Sequence, residues 1–453
     1  MKLHASQPSR LLVLAPCVAI ILCCFDSTAV SAEPEANDET WNSGFQSTYS
    51  WQRHPAYPAA YFSENSLDDE AQTMYTFSAT AMAGLRPWQG GELYINVEAV
   101  QGVPFTGDMV GLGSFTVGEE GRAGGNSIYA YLQRLFLRQT WNQGNGSEQM
   151  ESGPNQLAGM VDNNRIVLTL GNFSVHDVFS GNEYAGDSRT QFMNWSNWTY
   201  AAYDDAADDH GFGWGFALEW YWNKWVGRIG RMAGVTEPNG ETTDLALGKH
   251  YGDQVELEHT HTLFGQDGKV SLLAWHNRAV LARFSDAFAY RLTHVRLGPS
   301  VLPFVRDTEQ NKYGIGINLQ QAVNDDLGLF LRAMKADGKT ETQSFAEVDG
   351  SLSLGFSLNA TTFGRPQDTL GVALARNTIS GERRHFIETG GLSLYLGDGH
   401  LQYGAERAVE IYYNLDVGHD IHITTDYQRI TNPAYNADRG PINFFGFRVH
   451  TEF

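Results

Sequence analysis

The sequence predicts an all-β fold, a transmembrane antiparallel β-barrel of about sixteen strands with long loops partly folded into the lumen. Apolar and polar residues alternate over many short segments, as in strands whose two faces meet different surroundings. The chain contains 11 Trp, 20 Tyr, 25 Phe and 48 Gly. The stretch from Ile442 to Phe453 keeps its aromatic face to the final residue, although chain ends are usually polar and frayed. That stretch is therefore expected to close the barrel.

The first 32 residues have the layout of a secretory signal peptide. Lys2 and Arg10 form a basic start, residues 11–25 are mainly apolar, and Val30 to Ala32 offer small residues for cleavage before Glu33. A transmembrane anchor is the alternative, but the apolar run is shorter than the ~20 residues that a spanning helix needs. Residues 33–453 are then expected to form one barrel domain.

Composition excludes several classes of function. The three cysteines, Cys17, Cys23 and Cys24, all lie in the leader, so the mature chain is expected to hold neither disulfides nor thiolate sites. The proline before Cys17 fits a lipoprotein signal badly. The formal net charge of −21 argues against nucleic acid as a partner.

Alternation in the first half of the chain predicts strands at 45–51, 75–85, 93–97, 129–141, 166–170, 214–222 and 226–234. In 129–141, Tyr131, Leu135 and Leu137 are expected to face lipid, opposite Arg134, Phe136 and Arg138. Prolines in 54–67 exclude a regular strand and indicate an ordered plug or loop near a barrel end. Three longer loops are expected at 101–126, 142–163 and 172–210, the last with short helices and folded inward.

The second half continues the pattern to the end of the chain. Predicted strands are 254–264, 269–277, 313–321, 327–335, 351–359, 369–376, 404–415, 419–430 and the terminal one. Short turns alternate with longer loops, as in barrels of this kind. A barrel of about sixteen strands leaves an aqueous lumen instead of a packed core.

Candidate binding residues lie on the polar face of these strands and in one loop. Arg134, Arg138 and Glu98 are expected to point into the lumen, where guanidinium donors and a carboxylate acceptor suit a hydroxyl-rich solute. The alternative is that such residues only set conductance. The loop 182–198 adds Asp187, Arg189, Trp195 and Trp198, a mixture of polar groups and aromatic rings that suits sugars. An amphipathic loop packed on the barrel wall is the alternative.

An acidic cluster follows that loop. Asp204, Asp205, Asp208 and Asp209 supply hard oxygen ligands that suit Ca²⁺, Mg²⁺ or Mn²⁺. A solvated acidic loop without a ligand is the simpler interpretation. No carboxylate pair has a spacing that singles it out for glycoside hydrolysis, and no nucleophile motif is present.

Several stretches resemble the carbohydrate-selective porins of the OprB-like family. They are 54–67, 84–98, 131–141, 170–198 and 213–222, together with the terminal Phe453. The resemblance covers essentially the whole mature chain and is most specific from Arg134 to Trp222. It implies an outer-membrane barrel of about sixteen strands with loops in the lumen, through which sugars diffuse. It also suggests that inward arginines and acids form the constriction.

The leading hypothesis is a passive outer-membrane channel of a Gram-negative bacterium with small sugars as solutes, without cofactor and without enzymatic activity. One alternative is a channel for divalent cations such as Mn²⁺, which the aspartate cluster motivates. Another is a secreted β-rich sugar-binding protein or hydrolase, which the apolar strand faces oppose. Expected partners are outer-membrane lipid and the barrel assembly machinery, through the strand ending at Phe453. Whether the barrel is a monomer or a homo-oligomer stays open.

Overall fold

The structure is a computed structural model that describes residues 38–107, 110–119, 125–294 and 298–453. The predicted signal peptide lies outside the described residues. The strands are β1 Trp41–His54, β2 Gln72–Trp88, β3 Gly91–Val103, β4 Gly125–Asn142, β5 Ser147–Met150, β6 Gly159–Asp162, β7 Arg165–Phe173, β8 Gly213–Trp222, β9 Trp225–Ala233, β10 Tyr251–Leu263, β11 Gln266–Val280, β12 Glu309–Ala322, β13 Leu327–Ala336, β14 Gly350–Ala360, β15 Arg365–Thr378, β16 Glu406–Asp416, β17 Ile421–Thr431 and β18 Ile442–Glu452. The helices are α1 Trp195–Trp198, α2 Phe284–Thr293 and α3 Gly381–Glu388.

Sixteen of the described strands form one closed antiparallel barrel, and β5 and β6 form a separate hairpin between β4 and β7. Barrel neighbours follow chain order, and β18 closes the ring on β1. Phe453 takes part in this closure, because its N–H donates to the carbonyl of Phe45 at 2.8 Å and its carbonyl accepts from Phe45 at 3.0 Å. The predicted fold class and the closing role of the last strand are confirmed.

The two ends of the barrel differ. Short connections, such as those between β8 and β9 and between β10 and β11, lie at the same end as the C-terminus; we call it the turn end. The opposite loop end has most of the long connections, which include 55–71, 174–212, 281–308 and 379–405. The connection 143–164, which carries the hairpin β5–β6, lies at the turn end. Helices α2 and α3 lie in the last two of these. Among the described residues, no helix combines the length and the apolarity that crossing a bilayer requires.

The two faces of the wall have opposite character. Large apolar side chains are exposed on the outside, for example Trp41, Trp220 and Phe445. Polar side chains that point inward, such as Gln52 and Gln428, are completely buried. Because a soluble protein buries its apolar side chains and exposes its polar ones, this reversal is typical of a barrel whose outer surface meets lipid.

The buried polar side chains are covered by loops that fold into the barrel. The segments 110–119 and 192–207 are almost entirely buried, as expected for the long aromatic loop. They pair with each other, since Trp195 donates its backbone N–H to the carbonyl of Phe115 at 3.0 Å and Gly118 donates to Met193 at 2.8 Å. The lumen is therefore divided by loops into separate cavities.

One predicted facing was wrong. Strict alternation places Tyr131 on the lipid face, but the pairing of β3 with β4 shifts register between Asn96 and Val97. Gln133 is the extra residue of this bulge, and a bulge reverses the facing of every side chain beyond it. Tyr131 therefore points inward, where its hydroxyl donates to Oε2 of Glu98. The hairpin β5–β6, within a segment predicted to be loop, was also missed.

Candidate functional site

The loop 174–212 folds into the barrel, and inward side chains of strands β16 and β18 hold it. Glu410 on β16 accepts the backbone N–H of Met193 at 2.6 Å and of Asn194 at 3.1 Å. Arg448 on β18 donates to the carbonyls of Ser188 at 2.7 Å and Gln191 at 2.9 Å. Because these contacts satisfy backbone groups away from water, the path of the loop is fixed.

The start of the loop is a capped turn. The backbone N–H of Ser174 donates to Oδ2 of Asp177 at 3.0 Å. The same carboxylate receives a two-pronged ion pair from Arg134 on β4, with Nε–Oδ2 at 2.8 Å and Nη2–Oδ1 at 2.7 Å. Burial acts against ionisation of Asp177, but the Arg134 guanidinium outweighs it and holds the pKa of this carboxyl below its ordinary value. Arg134 thus faces the lumen as predicted, with its charge already compensated.

Arg189 connects the loop to two buried carboxylates. Its Nη2 donates to Oε1 of Glu98 at 2.8 Å, and its Nε donates to Oε1 of Glu119 at 3.1 Å. Burial lowers the pKa of Arg189, but the two carboxylates more than offset this and hold the pKa above its ordinary value. Thr80 donates to the same Oε1 of Glu98 at 2.9 Å. Three segments, β3, residues 110–119 and the loop 174–212, meet at this guanidinium.

A cavity of about 320 Å³ lies beside this ion cluster. Five of the seven predicted binding residues border it: Arg134, Asp187, Arg189, Trp195 and Trp198. Glu98 is fully buried behind Arg189 and does not border the cavity. Arg138 borders a different cavity, of about 260 Å³, together with Arg86 and Glu92. The structure therefore brings five of the predicted residues together at one cavity. Glu98 lies behind them, and Arg138 lies at a separate cavity.

The two tryptophans differ in what they can offer a solute. The ring of Trp195 packs against Phe345 with centroids 5.1 Å apart and against Trp198 at 5.0 Å, and the residue is only 5% exposed. Little of its face is free to stack on a sugar, so it chiefly packs the loop core. Trp198 is less buried and stands edge-on to His176 at 5.3 Å. Of the pair, Trp198 is the better candidate for contact with a solute.

Asp187 lies where cavities meet. It borders the 320 Å³ cavity and two others, of about 510 Å³ and 310 Å³. Its carboxylate accepts the backbone N–H of Arg189 at 2.7 Å and the hydroxyl of Thr190 at 2.5 Å. A carboxylate has about four acceptor positions, so two stay available. Asp187 is therefore placed to contact a solute in any of these three cavities.

The aspartate cluster does not converge on one point. Asp204 is buried, with an ion pair to Lys312 on β12 at 2.8 Å and backbone N–H donors from Gln343 at 3.0 Å and Ser344 at 2.8 Å. Those contacts give it a structural role. Asp205 is buried beside His176, whose Nε2 lies 3.8 Å from Oδ1. Burial, with a smaller contribution from Asp204, raises the pKa of Asp205 to about 7.

The remaining two aspartates lie nearer the end of the loop. Within the described ranges, one group of three candidate metal ligands converges: Asp208, Asp209 and His210, with ligand atoms within 4.8 Å of one another. Two of these groups already have partners, because Asp208 caps the turn to Phe212 at 3.0 Å and Asp209 pairs with His210 at 2.5 Å. This arrangement is that of a turn held together by its own side chains.

Sequence reasoning missed two important members of the site, Asp177 and Glu119. A weak signal existed for Asp177, since Ser174 and Asp177 have the spacing of a capping pair. Glu119 follows a glycine in a loop with no periodicity. Only the fold brings it to Arg189, so no local pattern could have found it.

The profile of the carbohydrate-selective porin family OprB matches residues 64–453. The chain belongs to the OprB family. The first solved structure it resembles is OprB of Pseudomonas putida at high pH, with 14% identity, a TM-score of 0.67, and coverage of 91% of this chain and 94% of that one. At that identity the likeness shows the fold alone. The low-pH structure of the same protein gives 12% identity, a TM-score of 0.48, and coverage of 91% and 93%.

One curated relative is of another kind. An exo-β-1,6-galactobiohydrolase of Bifidobacterium longum subsp. longum is 27% identical over 150 residues, which is 33% of this OprB-family chain. The chain spans only 9% of the length of that relative. The family match over residues 64–453 and the closed barrel are those of a porin.

Proposed function

We propose that this OprB-family chain lets small neutral carbohydrates diffuse through a Gram-negative outer membrane, without covalent chemistry. The observation that carries the proposal is the junction at Asp187, where polar side chains border three cavities but the neighbouring cations are already paired. Arg134 is neutralised by Asp177, and Arg189 by Glu98 and Glu119. Neither arginine keeps an uncompensated positive charge that would select an anion, and the site keeps donors and acceptors for hydroxyl groups.

The same features give each residue a role. Asp187 accepts a hydroxyl of the passing sugar, the unused N–H groups of Arg134 donate to another, and the ring of Trp198 offers an apolar surface to a sugar face. Arg189 and Glu119 border the cavity, but their charged groups bind each other, so together with Glu98 they chiefly position the loop. Trp195 packs beneath them. The constriction therefore separates residues that touch the solute from residues that hold the opening in place.

Liposome swelling tests this division. Proteoliposomes with the mature chain should swell in neutral mono- and disaccharides, and Asp187→Asn should alter the relative rates among sugars while keeping the pore open. Arg278→Gln is the matched control, because Arg278 faces outward and pairs with Glu309. Swelling that follows solute size alone, identical in wild type and Asp187→Asn, would contradict a sugar-contacting role for this site.

Two further proposals concern the setting of the barrel. The exposed apolar outer face and the closing strand support insertion into the outer membrane by the barrel assembly machinery, through β18 and Phe453. Short turns of such barrels face the periplasm and long loops face outside, so we assign the loop end to the outside. Chemical crosslinking of the purified protein would decide between a monomer and a homo-oligomer.

A further inference from the structure

Four arginines form a row on the outer face of the wall, close to the loop end. They are Arg376 on β15, Arg407 on β16, Arg429 on β17 and Arg53 on β1, and all four side chains are exposed. Their chain neighbours Ala375, Ala408, Ile430 and Gln52 are buried. Alternation along each strand therefore points every guanidinium outward. Strands β15, β16 and β17 are neighbours in the barrel, and β18 lies between β17 and β1. We call these residues the arginine row.

The arginine row lacks anionic partners. Within the part of the chain that the structure describes, no carboxylate oxygen lies within 4.0 Å of these guanidinium groups. Arg429 donates to Oδ1 of Asn443 at 2.9 Å, which is a neutral acceptor. This is unusual in a chain with a formal net charge of −21. Four unpaired cations on adjacent strands are a local excess of positive charge on an acidic protein.

Another sector of the same outer face shows the contrast. Arg231 on β9 pairs with Asp253 on β10 at 2.6 Å, and Arg278 on β11 pairs with Glu309 on β12 at 3.1 Å. These arginines also point outward near the loop end, but the protein itself supplies their counter-charges. They are natural controls for the arginine row, because their position is similar and their charge is neutralised.

The strand register places like charges of the arginine row close together, so they repel one another when no anion lies between them. Arg376 and Arg407 are direct cross-strand partners, and Arg429 lies opposite Val409, the next outward residue of β16. Side chains in direct cross-strand positions are about 4.5–5.5 Å apart at Cβ, and like charges there are destabilising. An anion between the two guanidinium groups would turn this repulsion into attraction, and arginine forks match phosphate oxygens well.

The next outward residues toward the turn end are apolar. Leu374 pairs with Val409, Tyr427 pairs with Phe445, and the two rings are 5.5 Å apart. Cations therefore lie above an apolar surface on the same strands. An amphiphile with an anionic head and acyl chains has the matching order of charge and apolar tail.

We propose that the arginine row binds the phosphate groups of an anionic glycolipid in the leaflet at the loop end, with its acyl chains against Leu374, Tyr427 and Phe445. The binding depends on the membrane placement proposed above and is independent of the solute that passes through the barrel. If the membrane placement is wrong, the protein will not insert into lipid at all. If only the lipid-binding proposal is wrong, the protein will insert but will not prefer a lipid with an anionic head.

Native mass spectrometry of the mature chain in neutral detergent, titrated with diphosphoryl lipid A, tests this binding. The triple variant Arg376→Gln/Arg407→Gln/Arg429→Gln should bind roughly 100-fold more weakly, at about fivefold for each arginine near an anionic surface. The double variant Arg231→Gln/Arg278→Gln should bind as the wild type does. Lipid A without its phosphates should bind the wild type and the triple variant equally.

Equal affinity of the wild type and the triple variant for diphosphoryl lipid A would overturn the proposal. So would a wild type that binds the dephosphorylated lipid as tightly as diphosphoryl lipid A. Thermal unfolding gives a second readout that a purely structural role would not produce. Arg407→Gln should unfold at the same or a higher temperature in neutral detergent, where repulsion from Arg376 is unrelieved, and at a lower one in lipid A nanodiscs. Dimer formation by Arg407→Cys in native membranes would instead show a second copy on this face and overturn lipid binding.

Discussion

The Nη2 of Arg189 lies 2.8 Å from Oε1 of Glu98, and this contact fastens the loop 174–212 to strand β3 inside the barrel. Arg189→Met would remove this guanidinium from the buried carboxylates of Glu98 and Glu119. Removing one partner of a buried ion pair lowers the free energy of unfolding by about 3–5 kcal/mol. We expect that loss in denaturant unfolding, together with a larger and noisier single-channel conductance because the loop is released. Arg278→Met breaks an exposed pair and should change stability by less than about 1 kcal/mol. An unchanged conductance in Arg189→Met would contradict the fastening role.

A second prediction concerns Asp204 and the divalent-cation alternative. Asp204→Asn leaves Lys312, which is 1% exposed, without its carboxylate, so we expect a stability loss of about 3–5 kcal/mol in denaturant unfolding. Asp209→Asn changes a partly exposed pair and should be nearly neutral. Neither variant should alter Mn²⁺ flux specifically. Loss of Mn²⁺ uptake in a stably folded Asp204→Asn protein would favour the cation channel.

The pH dependence of stability has a defined sign at Asp205. The pKa of this carboxyl is about 7 in the folded chain and near 3.8 when unfolded, because burial disfavours the charged form. Between these values the folded state holds a proton that the unfolded state has lost. The free energy of unfolding therefore falls as pH rises from about 4 to 7, by up to about 1.4 kcal/mol per pH unit. Asp205→Asn should lack this slope and be more stable than the wild type at pH 8, as measured by thermal unfolding in detergent. Parallel pH profiles for both proteins would show that Asp205 stays ionised.

Closure of the barrel makes a prediction for the last residue. Deletion of Phe453 removes two backbone hydrogen bonds to Phe45, worth together about 1–3 kcal/mol, at the seam where β18 meets β1. We expect slower assembly and a smaller folded fraction in the outer membrane, seen as reduced heat-modifiable migration on gels. Phe453→Tyr keeps the backbone and the ring and should assemble normally. Full assembly of the deletion would show that the seam forms without this residue.

The barrel itself could be predicted because its signal is local. Alternation with period two is set by each strand alone, so all the predicted strands are confirmed, with bounds differing by a few residues. The sugar-porin prediction is confirmed at the level of the family. The facing of Tyr131 could not be predicted, because the bulge at Gln133 depends on how β4 pairs with β3.

The candidate site was predicted only in part for a related reason. Arg134 and Arg189 were found because charged residues on a lumen face are conspicuous, but their partners Asp177 and Glu119 come from separate loops. Trp195 looked like a stacking surface in sequence, whereas in the fold its ring is covered by Phe345 and Trp198. Whether the residues that border the cavity bind a solute stays a prediction.

The most direct test is the conductance of single channels of the mature protein in a planar bilayer, titrated with glucose, maltose and Mn²⁺. We predict saturable, concentration-dependent block by sugar that Arg134→Ala weakens, because this variant removes a donor at the Asp187 junction and frees Asp177. Arg138→Ala, which changes a separate cavity, should weaken block less. A conductance that neither sugar changes but that Mn²⁺ reduces would contradict the proposed sugar channel and favour a divalent-cation pore.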